Sequence, residues 1–177
     1  MLNHTALNKS LFKASAISLM FLCGGCLRHD PWMSLKIKSG SPLFNSNKLI
    51  YPATNFSHDL EIEFLYSNHQ LSAYINVYLE QIPAFENDEK TALLKIDTPA
   101  GSTKFLVHRL SGGQRLKIPD DLIDQFLSLF EQNASITLKL QGPYNTKVSC
   151  KTFKQHLKTL KLQQIDFIPS NPIRVYL

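Results

Sequence analysis

The stretch LEIEFLYSNHQLSAYINVYL, residues 60–79, alternates apolar and polar residues on both sides of a short polar sequence, SNHQ. A period of two places successive side chains on opposite faces of a β-strand. The first half has Leu60, Ile62, Phe64 and Tyr66 on one face and Glu61 and Glu63 on the other. The second half has Leu71, Ala73, Ile75, Val77 and Leu79 on one face and Ser72, Tyr74, Asn76 and Tyr78 on the other. This pattern predicts an antiparallel β-hairpin.

Short alternating segments elsewhere in the chain predict further strands. They are SLKIK at 34–38, ALLKID at 92–97, KFLVHRL at 104–110, RLKI at 115–118, SITLKL at 135–140, TKVSC at 146–150 and QIDFIP at 164–169. Turn sequences such as TPAGS and GPYN separate neighbouring strands, and strands joined by tight turns pair antiparallel.

Two segments change to the period of a helix. In PDDLIDQFLSLFEQ, residues 119–132, the apolar side chains fall within an arc of about 160°. KTFKQHLKTLK, residues 151–161, predicts a second, shorter helix with Phe153, Leu157 and Leu160 as its apolar stripe. Strands in hairpins combined with two amphipathic helices predict an α+β fold, an antiparallel β-rich, sandwich-like domain.

The overall composition is that of one globular domain. The chain has 177 residues, of which 44% are hydrophobic and 19% charged, enough to form a real core. The net charge of +5 is a mild excess. Since there is no dense Lys/Arg cluster and no zinc-finger spacing, we do not expect nucleic-acid binding.

The segment LSGGQ, residues 110–114, matches the signature of ATP-binding-cassette ATPases letter for letter. Those enzymes also need a phosphate-binding loop in which a Gly precedes Lys, and no Gly in this chain is followed by Lys. The flanking sequences read as strands, so the two glycines are expected to supply the positive φ of a hairpin turn. We therefore expect no nucleotide as a partner.

The N-terminal sequence has the features of an export signal. Lys9 and Lys13 precede ASAISLMFL, residues 14–22, which has no charge, and CGGC follows. A basic region, a short apolar region and small residues are typical of such signals. The apolar run is shorter than the roughly 20 residues that a membrane-spanning helix needs.

The end of this segment resembles the lipobox of bacterial lipoproteins, in which a Cys follows small residues and an aliphatic one. Gly24 and Gly25 precede Cys26, although Cys23 stands where Leu is usual. The resemblance implies cleavage of a signal peptide at residues 1–25 and lipidation of Cys26. It also favours the outer membrane, because Leu27 replaces the Asp that retains such proteins in the inner membrane. Several acyl chains would give a durable anchor.

The domain organisation follows from this resemblance and from the composition. Residues 26–57 contain Pro31, Pro42 and Pro52, and they are predicted as the lipidated Cys and a tether or lead-in. Residues 58–177 are predicted as a single β-rich globular domain.

The candidate interaction residues are six. Lys151, Lys154, Lys158 and Lys161 fall within an arc of about 80° on the second helix, typical of a surface for anionic lipid or an acidic partner. Tyr74 and Tyr78 lie on the outer face of their strand and could anchor a partner. The alternatives are a helix whose lysines are merely solvated, and tyrosines that pack beneath a helix.

No pattern predicts a catalytic or metal-binding site. There is no G-x-S-x-G, and the histidines lack the spacing of metal ligands. Cys150 precedes the second helix close to Lys151 and Lys154, a setting that can lower a thiol pKa, although a small buried hydrophobe is the simpler interpretation. Glu61 and Glu63 are explained by a solvated hairpin face. We expect no enzyme activity, cofactor or metal.

The leading hypothesis is a lipid-anchored protein of the bacterial envelope with a non-catalytic binding or assembly role. Its partners would be the membrane, through the lipid, and an envelope protein. One alternative is a carrier of lipid or another small ligand, which needs a large apolar cavity. The other is a periplasmic hydrolase, which needs a His within hydrogen-bond reach of a Ser, Cys or carboxylate.

Overall fold

A computed structural model describes residues 30–39, 45–86 and 88–162 of the chain. The chain divides into two units, Met1–Asp30 and Pro31–Leu177. The architecture below is that of the second unit.

The described residues form nine β-strands, two α-helices and a short 3₁₀ turn, Asp120–Leu122, directly before the first helix. The strands are β1 Met33–Ile37, β2 Ser46–Tyr51, β3 Glu61–Ser67, β4 Gln70–Asn76, β5 Thr91–Thr98, β6 Gly101–Arg109, β7 Arg115–Lys117, β8 Ser135–Leu140 and β9 Asn145–Ser149. The helices are α1 Ile123–Gln132 and α2 Phe153–Leu162.

All nine strands belong to one antiparallel sheet with the order β1-β2-β3-β4-β7-β6-β5-β8-β9. The predicted hairpin is confirmed, with Ile62 opposite Ile75 and Glu63 opposite Tyr74 in β3 and β4. Asn68 and His69 at its turn both have positive φ, 49° and 61°. Two positive φ angles suit the type I′ turn that matches the twist of a two-residue hairpin.

The inner face of the sheet, defined here as the face covered by the helices, carries the hydrophobic core. The helices contribute the apolar stripes that their periodicity predicted, Phe126, Leu127 and Phe130 from α1 and Phe153, Leu157 and Leu160 from α2. These residues meet strand residues of matching parity, such as Leu94 and Ile96 of β5, which are fully buried. The opposite side of the sheet is called the outer face below.

Five aromatic rings form the centre of this core: Trp32, Phe64, Phe126, Phe130 and Phe153. The ring centroid of Phe64 lies 5.0 Å from that of Phe153, 5.4 Å from that of Phe130 and 6.1 Å from that of Trp32. The Phe64–Phe130 pair is edge-to-face, a geometry that adds to the free energy of burial. The rings of both helices therefore converge on one strand residue.

The free edge of β9 is covered by groups from the N-terminal part of the domain. The indole N–H of Trp32 donates to the carbonyl oxygen of Ser149 at 2.8 Å. The hydroxyl of Tyr51 donates to the carbonyl oxygen of Lys147 at 3.2 Å and accepts from the amide of Ser149 at 3.4 Å. The amide of Asn145 donates to the carbonyl oxygen of His58 at 3.0 Å. Curvature thus brings the two ends of the sheet together.

The predicted α+β class is confirmed, as an antiparallel β-rich domain with two amphipathic helices. The sandwich-like layering consists of one continuous curved sheet and the two helices. The last predicted strand, residues 164–169, lies outside the described residues.

The sheet begins earlier than the predicted domain start at residue 58. Two strands, β1 and β2, lie within the segment 26–57 that was predicted as a tether, and Trp32 and Leu49 from this segment are in the core. The prolines of this segment resemble a linker, and its strands are only five and six residues long. The strand predicted at 34–38 is confirmed as β1, whereas β2 was not predicted. Strand β1 pairs with β2, and β2 pairs with β3, so both belong to the sheet.

Truncating Phe64 tests the aromatic core. We expect Phe64→Ala to lower the free energy of unfolding by about 3–5 kcal/mol, because it removes the ring on which the others converge. Phe56→Ala is the matched control, since Phe56 is 57% exposed, and we expect a change within about 0.5 kcal/mol. Urea unfolding followed by circular dichroism measures both; equal losses would contradict the assigned core.

Candidate functional site

The outer face of the sheet carries an ion-pair cluster centred on Glu63. This carboxylate is 3% exposed although it lies on the face away from the helices. Lys48 Nζ lies 3.0 Å and Arg115 Nη2 3.1 Å from the same oxygen, Oε1. A buried carboxylate needs such partners, because an unpaired charge is expensive to desolvate. The interpretation of Glu63 as a solvated residue is therefore wrong.

Arg115 also covers Tyr74, one of the predicted interaction residues. The guanidinium carbon lies 4.1 Å from the centroid of the Tyr74 ring, a cation–π contact. Tyr74 stands opposite Glu63 on the neighbouring strand, so the cation contacts the ring and the carboxylate together. This arrangement holds a long side chain in one geometry while leaving 39% of it exposed.

Tyr78, the second predicted residue, lies next to this cluster and is 42% exposed. Its hydroxyl donates to Glu61, whose other carboxylate oxygen accepts from Asn76 Nδ2 at 2.9 Å. Partial burial, and then the hydrogen bond to Glu61, raise the pKa of Tyr78, so the phenol stays protonated. The ring meets Phe56 edge-to-face, with centroids 4.9 Å apart.

Phe56 is presented by a turn that Asp59 holds together. The amides of Thr54 and Asn55 donate to Asp59 Oδ2 at 3.1 and 2.8 Å. Burial acts to raise the pKa of Asp59, but the hydrogen bonds from Thr54 and Asn55 outweigh it and lower the pKa overall. The charged form is thus stabilised at neutral pH, and this contribution is lost as the pH falls below the ordinary value of 3.8.

Together these side chains form one patch, the Arg–Tyr surface, made of Phe56, Glu61, Glu63, Tyr74, Tyr78 and Arg115. It combines tyrosines, an arginine and a second exposed aromatic ring, the residue types that dominate binding energy at protein interfaces. Its side chains are already fixed by one another, so binding would cost little side-chain entropy.

The sequence identified only the two tyrosines of the Arg–Tyr surface as candidates. The sequence pattern contained enough information to identify Arg115 as a candidate, because the alternation of RLKI places it on the same face as Lys117 and away from Leu116. Phe56 had no such signal, since it lies in an irregular turn between two strands.

The four predicted lysines are all exposed. Lys154, Lys158 and Lys161 lie on α2, whereas Lys151 lies in the turn before the helix and not on it as predicted. Three of them border a shallow groove of about 290 Å³ with Glu131 of α1. The helix packs on the inner face through Phe153, whereas Tyr74 is on the outer face. The structure therefore places the lysines and the tyrosines on opposite sides of the sheet, and neither α1 nor α2, the α-helices of the described residues, covers the tyrosines.

A second groove, of about 540 Å³, includes Leu93 and Lys95 of β5 and Lys139 of β8. Both lysines pair with Asp97, at 3.1 and 2.8 Å. Hydrogen bonds from Lys139, then Ser102 and Lys95, hold the pKa of Asp97 well below its usual range. The described residues that line this groove include no tyrosine and no arginine, the residue types that contribute most at protein interfaces, so it is a weaker candidate than the Arg–Tyr surface.

The LSGGQ segment is a turn between β6 and β7, as predicted. Gly112 and Gly113 both have positive φ, 87° and 70°. A Cβ at Gly113 would overlap the guanidinium of Arg109, which donates from Nε to the carbonyl oxygen of Ile82 at 2.7 Å. The glycines thus serve the turn and the close approach of Arg109.

Cys150 is buried, with 4% exposure. Burial raises the pKa of its thiol to about 12, so the neighbouring lysines do not activate it. The interpretation as a small buried hydrophobe describes its position, and the thiolate that nucleophilic chemistry needs is disfavoured.

Among residues 30–39, 45–86 and 88–162, no three His, Cys, Asp or Glu side chains are grouped so as to hold a metal ion. No helix in this part of the chain is long and apolar enough to cross a membrane. Cys26 lies outside the described residues. Comparison with protein-family models, curated proteins and solved structures gives no match.

Two alanine variants test the turn. We expect Gly112→Ala to lower the free energy of unfolding by about 1 kcal/mol, because its added Cβ meets only the positive-φ penalty. Gly113→Ala should cost about 1 kcal/mol more, because it also displaces the Arg109 guanidinium from its hydrogen bond to Ile82. Urea unfolding compares the two, and equal losses would refute the assigned role of Arg109.

Alkylation tests the burial of Cys150. We expect the peptide containing Cys150 to stay unmodified by iodoacetamide at pH 8 in the folded protein and to react fully in urea, because the folded thiol is protonated and enclosed. Mass spectrometry of the digest measures both states. Fast labelling of the folded protein would show an accessible thiolate instead.

Proposed function

We propose that this chain is a lipid-anchored protein of the bacterial cell envelope whose β-rich domain binds a protein partner through the Arg–Tyr surface. The role is non-catalytic binding or assembly, and the anchor is Cys26 in the outer membrane. The lipobox-like sequence before Cys26 supports the anchor. The surface supports the binding role independently of it.

One observation carries the binding role, the position of Arg115. Its guanidinium lies over the Tyr74 ring and pairs with the buried Glu63, yet much of the side chain remains exposed. Exposed arginines usually sample many rotamers, and fixing them costs free energy on binding. Here that ordering is already achieved in the unbound domain. The adjoining rings of Phe56 and Tyr78 add exposed apolar area.

A protein partner fits this surface better than an anionic lipid does. The carboxylates of Glu61 and Glu63 balance the charges of Arg115 and the adjoining Lys48, so the patch offers an anionic bilayer little net attraction. The lysines of α2 have that attraction, but they lie on the other side of the sheet.

Radioactive palmitate labelling tests the anchor. In a bacterial host, we expect Cys26→Ala to lose the label and Cys23→Ala to keep most of it, because only Cys26 follows the two glycines of the cleavage site. Equal labelling of the wild-type chain and Cys26→Ala would reject lipidation at this residue.

Site-specific photocrosslinking tests the binding surface. A photoreactive phenylalanine analogue at position 56 should give one discrete protein adduct in intact cells. The same analogue at Leu106, 48% exposed on the distant strand β6, serves as the control and should not. Adding Arg115→Ala should abolish the adduct at position 56, whereas Lys158→Ala should leave it unchanged.

With the purified partner, Arg115→Ala should weaken affinity at least about tenfold, the effect of a residue worth roughly 1.4 kcal/mol or more. Unchanged far-ultraviolet circular dichroism confirms that the variant is folded. If Lys158→Ala abolished the adduct and Arg115→Ala did not, the partner would bind at α2 and not at the Arg–Tyr surface.

A further inference from the structure

Strand β1 stands at one end of the nine-stranded sheet, and among the described strands it pairs with β2 alone. All five of its residues are exposed. Met33, Leu35 and Ile37 form an apolar row on its outer face, and they are 44%, 46% and 40% exposed. An exposed edge strand with an apolar face is a template for pairing with another strand.

The other end of the sheet, at β9, is covered by hydrogen bonds from other parts of the domain. Strand β9 has its outward amide and carbonyl groups covered by Trp32, Tyr51 and His58, as described above. Proteins commonly protect edge strands with bulges, prolines, charges or covering elements. Strand β1 carries one such device, Lys36, but all five of its residues are exposed, and among the described strands no second strand pairs with its other edge.

We propose that β1 pairs antiparallel with β1 of a second copy of this chain, so that two sheets become continuous across a two-fold axis. The sequence of the strand, MSLKI, alternates symmetrically about Leu35. In the register centred on Leu35, that residue faces its own copy and Met33 faces Ile37 of the second copy. Each Lys36 then faces a Ser34.

This register is the one that the side chains favour. Moving the centre to Lys36 places two like charges directly opposite each other, which destabilises a cross-strand pair. Placing the centre of the register between Leu35 and Lys36 sets apolar residues of one strand opposite polar residues of the other. The two apolar rows then lie on opposite faces of the joined sheet. The centred register uses all five residues and joins the two rows into one stripe.

A second copy explains the strand better than a lipid surface does. Backbone amide and carbonyl groups that lack partners are costly to bury in hydrocarbon, so an open edge is unsuited to insertion in a bilayer. A two-fold contact requires a self-complementary patch, which the symmetric pattern of β1 supplies. The pairing does not depend on the lipid anchor or on the Arg–Tyr surface.

Cysteine crosslinking tests the register in the full chain. Two copies of Leu35→Cys would have Cα atoms about 4.5–5.5 Å apart, within the range of a disulfide. Two copies of Met33→Cys would be about 14 Å apart, since each faces position 37. Met33 is the matched control, with nearly the same exposure. We expect a disulfide-linked dimer from Leu35→Cys only, located by mass spectrometry of the joined peptides.

Equal crosslinking of the two variants would indicate random collision and overturn the proposal, as would no crosslinking of either. A second measurement uses sedimentation. We expect the parent protein to dimerise and Leu35→Lys to raise the dissociation constant at least about tenfold, because it places two charges opposite each other. Leu106→Lys, on the same face away from the edge, should leave the dissociation constant unchanged.

A parent protein that stays monomeric at 100 μM would also overturn the proposal. If such a monomer bound neutral phosphatidylcholine vesicles and Leu35→Lys did not, the apolar row would instead be a membrane contact.

Discussion

The packing of Trp32 is the interaction on which the rest of this structure depends. Its indole lies 5.1 Å from the ring of Phe153 and 6.3 Å from that of Phe130, so it contacts both helices. Its N–H donates to Ser149 in the last strand of the sheet. Trp32 directly precedes the first strand, so this one side chain connects that end of the sheet with the helix layer and with the edge at β9.

This packing of the core determines which surfaces of the domain are exposed to a partner. In the described part of the chain, the inner face carries the aromatic rings and the two helices, whereas exposed side chains lie on the outer face, on α2 and along β1. On the outer face, the buried carboxylate of Glu63 would be costly to leave unpaired, and it forms ion pairs with Lys48 and Arg115. The same ion pairs that satisfy Glu63 fix the exposed groups of the Arg–Tyr surface.

Local pattern was sufficient for much of the fold. The hairpin of residues 60–79 and both helices were predicted from their periods, because one face of each is buried against a single core. The pattern predicted β1, at 34–38, but it did not reveal β2 or the inclusion of both strands in the core sheet. It also missed the burial of Glu63, because alternation indicates which face a residue occupies and not what covers that face.

The central claim is that the described residues from Trp32 to Leu162 belong to one cooperative core. Trp32 is the one tryptophan in the sequence, so selectively excited fluorescence reports on this residue alone. Urea unfolding should show blue-shifted emission in the folded protein and a fluorescence midpoint equal to that of circular dichroism. Emission typical of a solvated indole before unfolding, or a fluorescence transition complete at lower urea, would contradict this account.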